Sequence, residues 1–195
     1  VVQHRVSAAH QLQASVYAGE RRTRQYQSIA VAAQAPATHP GGVIDLARHY
    51  EGLDLRWVHT RRLDGKPLTL TAGLAADQSA EVRRGFQNFT GPTTSPVLGV
   101  EGALRRDEKN RVRNTDQYLQ TEWAMAERFS LAAGVRRSVV RFTSADRYIA
   151  PGNGDDSGSA RHAATTPALG LTFHASDTLN VYASLGKGFE TPTFN

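Results

Sequence analysis

Hydrophobic residues recur along this chain with a period of two and never run on for long. In LTLTAGLAAD, Leu68, Leu70, Ala72, Leu74 and Ala76 share one face, while Thr69, Thr71, Gly73, Ala75 and Asp77 share the other. In FSLAAGVRRSVV, Phe129, Leu131, Ala133, Val135 and Val139 oppose Ser130, Gly134, Arg136 and Ser138, with Arg137 interrupting the apolar set. In LNVYASLGKGF, Leu179, Val181, Ala183, Leu185 and Phe189 oppose Asn180, Tyr182, Ser184, Gly186 and Gly188. Weaker alternation spans 12–18, 53–59, 119–125 and 169–173. Successive side chains of a strand point to opposite faces, so the pattern predicts an all-β chain with seven strands. Several exceed the roughly five or six residues of an ordinary globular strand.

The connections between these strands are of two kinds that strictly alternate. Short ones fall at 62–66, which holds Leu-Asp-Gly-Lys, and at 126–128 and 175–178. Long ones fall at 27–47, 84–114 and 148–161, and carry the Gly, Pro, Asn and Asp residues of APATHPGG, NFTGPTTSP and APGNGDDSGS. Short turns at one end and long loops at the other are the habit of outer-membrane barrels. Trp57, Trp123, Phe129 and Phe173 fall by parity on the apolar faces near the short connections, as an interfacial aromatic girdle requires. Parity sends Tyr50 and Tyr118 to the polar faces, so the opposite girdle is less regular.

Hydropathy is compatible with this reading. The longest apolar run is Ile29 to Ala33, which excludes a spanning helix of about 20 apolar residues. A mean hydropathy of -0.44 does not exclude spanning strands, whose lipid-facing and lumen-facing residues average out. Lipid cannot satisfy an open sheet edge, so a spanning sheet must close. Seven is an odd count where single-chain bacterial barrels have even ones. Either 1–6 supplies a further strand or the chain is part of a larger barrel.

Composition removes several functions. Without cysteine there is no disulfide framework, thiolate zinc site or cysteine nucleophile. The net charge of +5 comes from 23 basic residues interleaved with 18 acidic ones, a solvated surface rather than a phosphate-tracking stripe, so no nucleic acid is expected. The seven histidines (4, 10, 39, 49, 59, 162 and 174) show no i, i+4 or H-x-H spacing that would suit a metal. GKGF lacks the remaining glycine and the helix of a nucleotide site. GNGDDSG lacks a closing bidentate acid for calcium and reads as a flexible loop. Asn88-Phe89-Thr90 matches a glycosylation acceptor by chance. No catalytic residues, cofactor or metal are assigned, and the protein is expected not to be an enzyme. The N-terminal VVQHRVSAAHQLQ does not read as a signal peptide.

Leu179 to Asn195, LNVYASLGKGFETPTFN, resembles a barrel segment of TonB-dependent outer-membrane receptors. The hairpin DQYLQTEWAMAERFSLAAGVRRS (Asp116 to Ser138), the strand TPALGLTF (Thr166 to Phe173) and YEGLDLRW (Tyr50 to Trp57) are similar to the same family in the same order. The resemblance runs from about Gln11 onward and is strongest over the last eighty residues. It implies an antiparallel up-and-down meander of about seven long strands, an incomplete segment of a 22-stranded transmembrane β-barrel. It also implies a Gram-negative outer-membrane location and energised uptake of a ferric siderophore or similar scarce ligand. The partners implied are that ligand, outer-membrane lipid, and TonB acting through a plug domain. Residues 1–195 are expected to be a partial barrel domain with the plug absent, from an incomplete gene or an excised piece.

The polar faces supply the candidate lumen residues: Arg56, Tyr118, Gln120, Glu122, Arg136, Asn180, Tyr182 and Ser184. They would hydrogen-bond a plug or line a ligand vestibule, or simply stand in a hydrated lumen. Lumen-face glycines such as Gly186 are expected to leave room for the plug. Arg21, Arg22, Arg24, Arg83, Arg84, Arg105 and Arg106 near the long loops would attract an anionic iron chelate or pair with lipopolysaccharide phosphates. Two rival readings are a soluble all-β binding or structural domain and a passive porin-type barrel.

Overall fold

The computed structural model describes residues 1–192; the last three residues of the GFETPTFN segment, 193–195, lie outside the described residues. The chain is built of strands β1 (Val2–Arg5), β2 (His10–Tyr26), β3 (Val43–Leu63), β4 (Lys66–Phe86), β5 (Phe89–Thr90), β6 (Val97–Leu98), β7 (Leu104–Ala126), β8 (Phe129–Asp146), β9 (Gly158–Ser176) and β10 (Leu179–Gly186). Eight of them form one antiparallel sheet in the order β1-β2-β3-β4-β7-β8-β9-β10. It is open, with β1 and β10 at its edges. β5 and β6 are a two-residue hairpin inside a loop, and one 3-10 turn, Val31–Gln34, lies in another. Among the described residues the other sheet is the two-stranded β5-β6, too small to form the second layer of a sandwich.

The seven expected strands are all present, and Val2–Arg5 pairs with β2 as an eighth. The strands are longer and the long loops shorter than alternation alone predicts. β3 and β4 have 21 residues each and β7 has 23, leaving connections of 27–42, 87–103 and 147–157. Beyond the apolar band both faces are polar, so the period-two signal vanishes while the backbone ladder continues. Cross-strand ion pairs accompany that continuation, as where Arg48 meets its register partner Glu81.

The tight turns follow local chemistry. Leu63 and Lys66 close around Asp64-Gly65, with φ of 51 and 74. A two-residue turn with φ > 0 at both positions matches the right-handed twist of the strands, and Asp-Gly tolerates it. β7 turns into β8 at residues 127–128 and β9 into β10 at 177–178, on the same end of the sheet. The loop that carries GNGDDSG holds hydrogen bonds of its own and to the end of β8. Asp146 Oδ1 accepts the Tyr148 N–H at 2.9 Å, Ser157 Oγ accepts the Asp146 N–H at 2.9 Å, and Asn153 Nδ2 donates to the Tyr148 carbonyl at 2.7 Å.

The distribution of burial is inverted relative to a soluble domain. Buried side chains include Gln34, Glu81, Asn88, Asn110, Asp116 and Ser138, whereas the buried hydrophobic ones are Val43 and Phe89. Leu12, Val16, Leu53, Leu55, Leu74, Leu119, Val135, Leu169 and Leu171 are exposed. The accessible surface is 12843 Å², against about 9,100 Å² for a compact monomer of this mass. Along β7 the two faces alternate sharply: Asn110 and Asp116 are buried while Lys109, Arg113, Gln117 and Leu119 are exposed. The sheet therefore curls toward its polar face. Ile44, Leu46 and Arg48 of β3 line one hollow of about 570 Å³ together with Thr191 and Pro192, which follow the far edge strand.

Candidate functional site: the concave polar face

Register assigns every strand residue to a face. Gln13, Arg56, Gly73, Tyr118, Arg136 and Thr166 stand in one row across six strands. The next row toward the long loops is Ser15, Asp54, Ala75, Asp116, Ser138 and Ala164, and the one after it begins Tyr17, Gly52, Asp77, Asn114. All eight residues chosen from parity lie on this face, but they do not form one cluster.

Arg56, Tyr118 and Arg136 sit in the central row. Arg56 Nε donates to the Tyr118 hydroxyl at 3.1 Å, and Arg136 Nη2 donates to Asp116 Oδ2 at 2.5 Å. Gln120 and Glu122, nearer the short turns, bond each other at 3.1 Å. Asn180, Tyr182 and Ser184 lie apart on edge strand β10. The Asn180 side chain meets His174 Nδ1 at 2.7 Å, and the other ring nitrogen of His174 meets Ser130 Oγ at 3.0 Å. Tyr182 is 79% exposed.

The centre of the face contains residues that alternation did not single out. The Tyr17 hydroxyl donates to Asp77, and Asn114 Nδ2 donates to Asp77 at 3.4 Å and to Asp116 Oδ2 at 2.8 Å. With Arg136 this makes a polar chain from β2 to β8. Asp116 is 2% exposed, so desolvation of its carboxylate is offset by these donors. Asp116 Oδ1, Asn114 Oδ1 and Asn110 Oδ1 are buried without a partner among the described residues. All three are hydrogen-bond acceptors on one strand.

Three glycines on this face each lie under a tyrosine from the strand opposite. Tyr17 lies over Gly52, Tyr50 over Gly19, and Tyr118 over Gly73, each pair in direct register. A Cβ at any of these glycines would run into the ring. So three interior glycines of this face are covered by the sheet's own side chains rather than left open. The local signal was present: each is a Gly whose same-face neighbour across the ladder is Tyr, but pairing had to be known to see it.

The basic residues near the long loops are divided between the faces, and three of the seven stand beside an acid. Arg24 pairs with Asp45 at 3.4 Å and Glu101 at 3.2 Å, Arg84 with Asp107 at 3.8 Å, and Arg106 with Glu108 at 2.9 Å. Arg105, at the start of β7 beside the 87–103 loop, donates to the Pro36 carbonyl of the 27–42 loop. Those loops share a buried joint: Gln34 Nε2 donates to Asn88 Oδ1 at 2.7 Å, and the Asn88 N–H donates back to Gln34 Oε1 at 3.2 Å. Among the described residues no three His, Asp or Glu side chains are grouped to hold a metal.

An open meander with a polar concave face and an apolar convex one has known relatives. Residues 3–195 match the family described as TonB dependent receptor-like, beta-barrel. The chain belongs to that family. The fold is similar to the ferric citrate transporter FecA in its unliganded form, with a TM-score of 0.73 at 14% identity over 94% of this chain and 25% of FecA. It is similar also to the siderophore receptor PiuA from Acinetobacter baumannii, at 0.75 and 10% identity over 93% of this chain and 30% of PiuA. BauA, the ferric preacinetobactin receptor from the same organism, matches at 0.69 and 15% identity over 93% of this chain and 28% of BauA. The chain thus spans between a quarter and a third of the length of these receptors. The TonB-dependent receptor barrel explains why one sheet can leave its leucines outside: the fold class is a segment of a barrel, and its relatives are receptors and transporters.

Proposed function

We propose that this chain is part of the wall of a larger outer-membrane barrel that takes up a ferric siderophore or similar scarce ligand. The observation that carries the reading is the inverted polarity of the sheet: a convex face of exposed Leu and Val, and a concave face on which Glu81, Asn110, Asp116 and Ser138 are buried. Left in water, each large side chain of the convex face would forgo about 1.5–3 kcal/mol of burial, which a lipid chain supplies.

The aromatic girdle supports a membrane frame through its slant. Trp57 on β3 is in one register row with Ala72, Leu119, Val135 and Pro167. Trp123 lies four residues closer to the short turns than Leu119, Phe129 six closer than Val135, and Phe173 six closer than Pro167. Six residues of about 3.4 Å, set against four strand spacings of about 4.8 Å, give a slope of about 45°. Strands of spanning barrels tilt by about 35–45°. A level girdle on tilted strands has to step in this way, and a soluble sheet has no reason to.

In this frame the concave face is the lumen wall. Arg56, Tyr118, Gln120, Glu122, Arg136, Asn180, Tyr182 and Ser184 line it. The ligand binds on the long-loop side and passes when TonB remodels the plug; the protein does no covalent chemistry. The test is uptake of a radiolabelled ferric siderophore by iron-starved Gram-negative cells carrying the receptor that contains this chain. Accumulation should require TonB and the receptor should fractionate with the outer membrane. Recovery of the receptor in the soluble fraction, or uptake indifferent to TonB, defeats the reading.

A further inference from the structure

Loops 27–42 and 87–103 meet in a small core that the sheet itself lacks. Gln34 and Val43, the first residue of β3, are 0% exposed, and Phe89 and Asn88 are nearly as covered. Gly41, Gly42 and Gly85 beside them are buried too. The amides at the centre hold backbone as well as each other. Asn88 Nδ2 donates to the Gln27 carbonyl at 2.9 Å and to the Ile29 carbonyl at 3.0 Å, while Gln34 Nε2 reaches the Ile29 carbonyl at 3.1 Å. Asn88 of the second loop therefore grips the first loop at two carbonyls besides the Gln34 side chain. The base of each loop is closed as well. Gln27 N–H donates to the Gly42 carbonyl and Gly102 N–H to the Gln87 carbonyl, both at 2.8 Å. Because the same two side chains make the bonds between the loops, separating the loops breaks those bonds together.

The first loop also leans inward. Gly85 is on the concave face, in register with Ile44 and Arg106, and a Cβ there would overlap the Pro40 carbonyl oxygen. Glycine lets the two backbones meet, which places Pro40 over the concave face beside the hollow that Ile44 and Leu46 line. The third long loop, 147–157, is held differently. Its ties run to β7 and β8: Arg147 N–H donates to the Asp107 carbonyl at 2.8 Å, and Ser157 Oγ accepts the Asp146 N–H. It touches the first loop where Gly152 lies against Ala37. Among the described residues no hydrogen bond or ion pair joins it to either of the other two loops.

We propose that residues 27–42 and 87–103 form one rigid overhang at the long-loop mouth of the lumen, a preformed edge past which the ligand enters, while loop 147–157 moves independently of it. The lumen in this statement rests on the barrel reading above. An edge fixed beforehand spares the ligand the entropy of ordering two loops. The test is hydrogen exchange in the detergent-solubilised receptor that contains this chain. Gln34→Ala lies in the first loop, yet it should quicken exchange about 5- to 150-fold at Gly99 and Gly102 of the second. Their N–H groups bond the Asn88 and Gln87 carbonyls. Asn88→Ala should act the other way, quickening Gln27 by a similar factor. Asn153 of the third loop, whose N–H bonds the Ala150 carbonyl at 2.8 Å, should exchange as before in both variants. Should the variants fail to fold, spin labels on Thr38→Cys and Thr94→Cys, both exposed positions, should give one narrow distance distribution in the otherwise unaltered receptor. Quickening confined to the altered loop, equal quickening at Asn153, or several distances between the labels would each overturn the overhang while leaving the barrel intact. A receptor that stays in solution without detergent would overturn the barrel reading and, with it, the overhang's place at a lumen.

Discussion

Changing Leu119 to Arg separates a lipid-facing sheet from a water-facing one, because the two surroundings assign the substitution very different costs. Leu119 is 52% exposed, on the face that also carries the exposed Leu55, Leu74 and Val135. It lies four residues from Trp123 and six from Arg113 on the same strand, which puts it near the middle of the apolar band. An arginine near the midplane of a barrel wall costs about 2–4 kcal/mol. Each 1.4 kcal/mol is about tenfold in an equilibrium constant, so the folding equilibrium constant should fall by a factor of about 30 to 700. On a water-facing sheet the same change at a half-exposed position stays within about 0.5 kcal/mol. The assay is urea titration of the receptor folded in lipid vesicles, followed by heat-modifiable gel mobility. Gln120→Arg is the built-in control, since the neighbouring side chain points to the opposite face and can meet Glu122 there; it should shift stability by less than about 1 kcal/mol. A Leu119→Arg receptor within about 0.5 kcal/mol of the unaltered one would refute the reasoning, whatever Gln120→Arg does.

Three further outcomes can be checked. Gly73→Val should cost about 1–3 kcal/mol in the same titration, because its Cβ enters the space of the Tyr118 ring; adding Tyr118→Ala should recover part of that loss, and additive costs would contradict the stacking account. Gln34→Leu leaves the Asn88 N–H and Oδ1 without their partner and should cost about 1–3 kcal/mol, confined to the loops. Hydrogen exchange should then quicken at Asn88 and leave mid-strand amides of β7 unchanged. The third concerns acid: the Ser157 hydroxyl and N–H hold the Asp155 carboxyl below the usual carboxylate range. A depressed carboxylate adds stability above its unfolded pKa and loses it as pH falls through the folded value, so the Ser157 amide should lose protection only in strong acid. Loss of protection already near neutrality would contradict the bond.

The parts of the fold legible in advance were those set by local geometry. Alternation is a property of one strand's own backbone, so Leu68 to Ala76 and Phe129 to Val139 could be placed on a face without knowing any neighbour. The turn at Asp64-Gly65 is equally local, because φ > 0 at two successive positions depends on those residues alone. The eight polar-face residues were assigned by the same rule, and register puts them on that face. The extra length of the strands was not legible, since a stretch such as Arg105 to Arg111 is polar on both sides and carries no period. Nor was the neutralisation of Arg24, Arg84 and Arg106, which depends on acids brought from other strands or placed two residues along the same face.

The sequence by itself determined which side of each strand is apolar, where the tight turns fall, and that no helix could cross a membrane. Those follow from the backbone's period and from the residues that tolerate particular φ values. Only the tertiary structure decided which rows form across the sheet. Asp116 meets Arg136, Tyr118 covers Gly73, and Arg113, Arg141 and Arg161 line up because register is set by turns and ladders between strands distant in sequence. A one-residue slip would move every side chain of a strand to the other face, so the pairing, not the composition, chooses which charges stand together.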